Sequence, residues 1–373
     1  MSALPNELLA LICAEVSDNH SLYMLARASR RFLPTVQHIL YRKIDLKGRP
    51  IRSLRSWCLA VSRNVYLAER VYALSLELPL LAQFEHSDIL RVKNALKACV
   101  NLKELRLASQ PDAYGRVRAE SSLHELVSEA TFRLTKLADF YFAATWHLDR
   151  ICARQRDIRI LALPLGAVFP ADRMESRARK LIGVSALLGS IPTDRPLQRI
   201  ETVFVADYSR LASFSKTLTT LNIIFNQSTD TPILGRTFNA IAANVSNLLH
   251  LALVQTVKQH DEAPLPLPLP LKNEFPRLKT CTLVTRGISI VQAGSTSGAL
   301  HTFEPNDSLM LLRVAEDTMS ACGTLHRLTL GVQGIGYDRT WNCVRQAHGG
   351  LDYEEWDWVD FKALSMFWNP DVV

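Results

Sequence analysis

Along most of this chain an apolar residue is followed by two more at +3 and +5, with polar residues between. The unit stands at Val71/Leu74/Leu76, Leu102/Leu105/Leu107, Leu137/Phe140/Phe142, Ile158/Leu161/Leu163 and Ile200/Val203/Val205. It continues at Leu218/Leu221/Ile223, Leu248/Leu251/Leu253, Leu278/Cys281/Leu283 and Leu325/Leu328/Leu330. The last two anchors of each, two residues apart, predict a short strand with one face buried. Between the strands lie stretches of helical period: Leu54/Trp57/Val61, Ile89/Val92/Leu96, Leu123/Leu126/Val127, Phe238/Ile241/Val245 and Leu309/Leu312/Met319. Helix and short strand alternating in this way predict stacked right-handed β-α units with a parallel sheet.

The N-terminal stretch has a different texture. Pro5 suits the first turn of a helix, where its missing N–H costs nothing. Leu8, Ile12 and Val16 follow at helical spacing, and Leu9 and Leu11 widen the stripe. Asp18-Asn19-His20-Ser21 is a run of turn and cap residues, with Ser21 an expected N-cap for a helix carrying Leu22, Leu25 and Ala26. Pro34 opens a third helix with Val36, Ile39 and Leu40. Three short helices with apolar residues on more than one face imply a partner surface, because so small a unit cannot bury them alone.

These residues resemble the F-box. The pattern Leu-Pro-x-Glu-Leu-Leu-x-x-Ile from Leu4, the segment Leu22-x-x-Leu-Ala-Arg-x-Ser-Arg-Arg-Phe32 and the closing Leu40-Tyr-Arg-Lys-Ile44 fit that motif in order. The match covers residues 4–46, and Phe32 and Tyr41 stand where the motif often has tryptophan. The resemblance implies docking on the Skp-type adaptor of a cullin-RING ubiquitin ligase, through Leu4, Pro5, Leu8, Ile12, Leu22, Leu25 and Leu40. The later units are similar to irregular leucine-rich repeats. The Asn or Cys that usually follows the last leucine by three appears only at Asn226, and spacing varies from 18 residues (Ile200 to Leu218) to 47 (Leu278 to Leu325).

The expected fold is therefore α/β. A short helical F-box-like motif (1–46) precedes a leucine-rich-repeat-like solenoid (47–373), with a parallel sheet on one face and helices on the other. A doubly wound α/β domain is the rival, but no strand leads into a glycine-rich phosphate turn. Alternation along the strands points the residues beside the anchors outward. Glu104, Arg106, Asp139, Tyr141, Phe204 and Arg327 are thus expected in register on an exposed, substrate-binding face.

Several connections stand apart. Residues 109–121 read as a polar loop, 287–307 as a mobile insertion, and Ala263–Leu271, with alternating prolines, as a stiff polyproline II loop. The tail from Leu351 mixes acids with Trp356, Trp358, Phe361, Phe367 and Trp368, and is expected as a helix capping the last core layer.

Composition then narrows the function. Hydrophobic content of 48% with 21% charged residues describes an ordered protein, and no apolar run reaches the length of a membrane span. Seven cysteines without a Cys-x-x-Cys read as reduced, mostly buried thiols of a cytoplasmic or nuclear protein. Catalytic signals are absent: His124-Glu125 lacks a second zinc histidine, Gly294–Gly298 places Thr296 where a nucleophile elbow needs serine, and Gly331–Gly336 is no dinucleotide turn. No cofactor or metal is expected, and the chain is not read as an enzyme. The net charge is +7, and residues 27–70 hold eleven bases against Asp45 and Glu69. A second basic stretch includes Arg150, Arg154, Arg156 and Arg159. Such patches could attract phosphate-rich polymers, but no nucleic-acid module accompanies them, so nucleic acid is not an expected partner. The expected partners are the adaptor, a cullin through it, and a protein substrate. The alternative is a leucine-rich-repeat scaffold whose N-terminal helices serve another partner or only cap the repeats.

Overall fold

The computed structural model describes residues 5–16, 18–78, 85–109, 125, 127–139, 146–164, 167–169, 180–225, 234–255, 265–267, 271–285, 288–292, 301–303, 308–333, 338–356 and 367–368. They belong to two compact units: residues 1–164 with 170–181, and residues 165–169 with 182–373. Each is mixed α/β, with strands that are mostly parallel.

The first unit opens with α1 (Asn6–Glu15), α2 (Asn19–Ala28) and α3 (Leu33–Arg42). Asp18, not Ser21, caps α2: its carboxylate accepts from the Ser21 N–H at 2.7 Å, and these hydrogen bonds hold Asp18 below the usual carboxylate range. Pro34 sits in the first turn of α3, as its fixed φ favours. The chain then passes directly from α3 into β1 (Lys43–Asp45), so the end of the expected helical segment is the first strand of a sheet. Next come α4 (Ile51–Arg63), α5 (Val65–Ala68), β2 (Ala73–Leu78), α6 (His86–Ala98), β3 (Glu104–Ser109), β4 (Lys136–Asp139), α7 (Trp146–Arg154) and β5 (Ile160–Ala162). β1 to β5 pair in chain order, each parallel to the one before. A doubly wound sheet would instead reverse its order at a switch point.

The second unit contains β6 (Gly183–Ser185), β7 (Arg199–Val203), β8 (Thr220–Phe225), α8 (Leu234–Asn244) and β9 (His250–Gln255). It continues with β10 (Leu265–Leu267), α9 (Leu271–Glu274), β11 (Thr280–Thr285), β12 (Ile288–Gln292) and β13 (His301–Phe303). It closes with α10 (Ser308–Ala321), β14 (Arg327–Gln333), β15 (Asp338–Arg345) and β16 (Leu351–Trp356). β6, β7, β8, β9, β11 and β14 are parallel neighbours, and β14, β15 and β16 finish the sheet as an antiparallel meander. β14 lies close against β11: a Cβ on Gly331 would stand 2.9 Å from Val284 Cγ2, so only glycine fits there without displacement.

Most anchor pairs are where their spacing places them. Leu74 and Leu76, Leu105 and Leu107, Leu221 and Ile223, and Leu251 and Leu253 are buried on facing register positions. Two triples are out of phase. The third unit runs Leu134/Leu137/Asp139, because Leu137 pairs with Leu105 and Asp139 with Leu107. The fifth runs Leu197/Ile200/Thr202, because Ile200 pairs with Leu221 and Thr202 with Ile223.

The connections also differ from expectation. Leu265–Leu267 of the proline run is a strand paired in parallel with β12, since an edge strand tolerates a proline that donates nothing to a ladder. Within 287–307, β12 and β13 form an antiparallel pair. The tail expected as a helix begins instead with strand β16, which pairs antiparallel with β15. Beyond Ser109 the 109–121 loop lies outside the described residues, as do Leu123 and Leu126.

Candidate docking face on the N-terminal helices

α1, α2 and α3 share a small core of their own. Cys13, Leu22 and Val36 are fully buried in it, with Val16, Leu25, Ala26, Phe32, Ile39 and Leu40 packed against them. On α1 the positions Leu9, Cys13 and Val16 face inward, so Leu8 and Ile12 fall on the adjoining flank and Leu11 on the far side, and the three are 45%, 44% and 62% exposed. Tyr23, Met24 and Leu33 are exposed too. Six large apolar side chains are thus exposed on three short helices that share one small core, a concentration found at protein interaction sites.

The expected adaptor contacts divide. Leu8 and Ile12 lie one turn apart on the exposed face, and Pro5 is exposed at the α1 N-cap. Leu22 is a correction: it is buried in the head's own core and supports the face from behind. Leu25 and Leu40 are half-buried against that core. Leu4 lies outside the described residues. Sequence reasoning put Leu11 on the apolar stripe of α1 without naming it as a contact, and passed over Tyr23, Met24 and Leu33.

The expected substrate face does not assemble as one exposed surface. Glu104 is half-buried and pairs with Lys136 at 3.0 Å, while Arg106 stands opposite Ser75 and Ala138. Asp139 is out of register with them, standing opposite the inward anchor Leu107, and Tyr141 lies outside the described residues. Phe204 is corrected: its ring stacks on the buried Phe225 at 5.3 Å, because the anchors of β7 begin three residues earlier than expected. Arg327 is half-buried opposite Thr280. Its column in the second unit, Thr220, His250 and Thr280, is buried, as is the neighbouring Asn222, Ala252, Thr282 and Thr329. Polar pairs satisfy part of that layer: His250 Nδ1 meets Thr280 Oγ1 at 2.9 Å, and Thr329 Oγ1 donates to Asn342 Oδ1 at 3.1 Å, whereas Thr220 Oγ1 and Arg327 Nε are buried without a hydrogen-bond partner. Burial there pulls His250 down to about 4.

Many of the basic residues are occupied within the first unit. Arg27, Arg42 and Arg70 lie over the rings of Tyr23, Tyr72 and Tyr66. Arg55 holds the buried Asp88 through two hydrogen bonds of 2.8 and 2.6 Å, and Arg91 adds a third at 2.7 Å. These bonds, that from Arg55 foremost, hold the Asp88 carboxyl below its usual range. Arg150, Arg154 and Arg156 line a cleft of about 1120 Å³ with Arg133 and Lys180, but Arg133 donates to the Arg154 carbonyl and Lys180 pairs with Asp157. All seven cysteines are buried and none is in a disulfide, and desolvation pushes Cys58, Cys99 and Cys281 up to about 12. Among the described residues no cluster of three His, Cys, Asp or Glu could hold a metal, and no helix is long and apolar enough to cross a membrane.

No protein-family model matches the chain, and no curated protein matches it.

Proposed function

We propose that this chain is the substrate-recognition subunit of a Skp-cullin-F-box type ubiquitin ligase. Its N-terminal helices would bind the adaptor, and its leucine-rich-repeat-like body would hold a protein substrate. The observation that carries the reading is the outward apolar face of Leu8, Leu11 and Ile12 on a helical unit that has a core of its own. That face falls within the stretch whose sequence resembles the F-box. The sequential, parallel strand order supports the repeat reading of the body. Of the expected substrate face, Glu104 and Arg106 stay half exposed in the first unit, beside Lys136, and Phe204 and Arg327 in the second. The chain's role in catalysis is positional: it raises the effective concentration of substrate lysines near a ubiquitin-loaded partner.

The test is co-purification of the full chain with a Skp-type adaptor, comparing the natural sequence with the double variant Leu8→Asp, Ile12→Asp. Charges placed in an apolar contact cost several kcal/mol, about 4 kcal/mol for the pair, so the adaptor should be lost. Melting of the chain itself should not change. Retention of the adaptor by the double variant would refute the reading in favour of a scaffold whose N-terminal helices serve another purpose.

A further inference from the structure

The first unit has an open sheet edge. Among the described residues β1 is a terminal strand and pairs with β2 alone. The Leu46 N–H donates to the Ser75 carbonyl at 2.9 Å, and the Arg42 carbonyl accepts from the Tyr72 N–H at 3.0 Å. Backbone groups alternate along a strand, so residues 42, 44 and 46 turn toward β2. The carbonyl of Lys43 and the N–H and carbonyl of Asp45 therefore point the other way. Beside them is a cleft of about 690 Å³, lined by β1, by Leu40 and Tyr41 of α3 and by Arg52 and Trp57 of α4. Trp57 is buried and its indole N–H has no hydrogen-bond partner, a donor that lacks an acceptor. The charge around the cleft is net positive: Lys43, Lys47, Arg49 and Arg52 are exposed, while Asp45 already accepts from the Lys47 N–H at 2.9 Å and Glu77 from the Gly48 N–H at 2.7 Å.

From this geometry we propose that the β1 edge accepts an extended, acidic segment of a partner protein as an added strand. The strand's backbone would complete the hydrogen bonds of Lys43 and Asp45, and an apolar side chain would fill the cleft beside Tyr41 and Trp57. A strand of three residues bearing a lysine resists indiscriminate edge pairing, so the cleft and its charge must supply selectivity. The site uses none of the exposed residues of α1 and stands whether or not the adaptor binds there.

The probe is a capped, fluorescein-labelled peptide of alternating glutamate and valine, titrated against the full chain by polarisation. Two analogues carry N-methyl groups on every second amide, in the two possible phases, and a third replaces glutamate by lysine. The acidic peptide should bind and slow amide exchange at Asp45, and one methylated phase should bind roughly tenfold more weakly. Arg52→Glu should weaken the acidic peptide by roughly three- to tenfold without changing the melting temperature. The proposal is overturned if both methylated phases bind as well as the parent, or if the lysine peptide does. It is equally overturned if millimolar acidic peptide leaves exchange at Asp45 unaltered.

Discussion

The two units treat their apolar and polar side chains in opposite ways. Among the described residues, every exposed large hydrophobic except Val168 belongs to the first unit, and six of them lie on α1, α2 and the start of α3. The second unit hides even polar side chains, with Asn222, His250, Thr280, Thr329 and Asn342 all buried. Burying a hydroxyl or an amide is tolerable only where it is paired, and that unit pairs several of them across its strands. Exposed leucines on a small helical unit bring no stability to the chain itself. They gain by being covered, at roughly 25 cal/mol for each Å² of apolar surface removed from water. The contrast separates residues that hold the fold from apolar residues left in contact with solvent.

Substitutions can break that contrast from either side. The largest effect is expected at Phe225→Ala, which empties a fully buried ring site and should cost about 3–5 kcal/mol by chemical denaturation. Asp88→Ala leaves two arginines facing a vacated buried site and should cost about 3 kcal/mol. Asp88 also carries a pH signature. Its folded pKa lies below the unfolded value, so its contribution is complete above about pH 4 and is lost as pH falls through the folded value. Asp88→Asn should flatten the acid limb of the stability curve, and an unchanged limb would mean that the clamp contributes nothing.

His250 tests the buried polar layer at milder pH. Its folded pKa of about 4 lies below the unfolded value. The stability it contributes is therefore full above about pH 6.5 and declines as pH falls toward the folded value, by about 2 kcal/mol at about pH 5. Melting at neutral and mildly acid pH should show this loss, and His250→Gln should reduce it; equal losses in both would place the histidine in water. The smallest effect on stability belongs to the exposed face. Leu11→Ser and Met24→Ser should each leave unfolding free energy within about 0.5 kcal/mol of the natural chain, while weakening adaptor capture. A clear loss of stability would mean that these side chains are packed.

Much of the body was legible because its anchors are large. Leu221/Ile223 and Leu251/Leu253 cannot face water, and their spacing alone predicts β8 and β9. The rule failed where an inward position is filled by a small or polar side chain. Thr202 closes the β7 triple and Ala186 follows β6, so one strand was read out of phase and the other was missed. β15 was missed for a related reason: Trp341 and Cys343 alternate with the buried polar residues Thr340 and Asn342, which look like a loop in sequence. At the candidate site the ambiguity is one of sides. α1 has two adjoining apolar rows, Leu9 and Cys13 in one and Leu8 and Ile12 in the other, so only the packing of α2 and α3 decides which leucines stay outside. Leu22 was assigned to the partner for the same reason.

Hydrogen–deuterium exchange of the full chain, with and without a purified Skp-type adaptor, bears most directly on the proposed docking face. Slowed exchange across Asn6–Glu15 and Asn19–Ala28, with β8 and β9 unaltered, is the predicted result. A complex that leaves both helices unprotected, or no complex at micromolar adaptor, would contradict it.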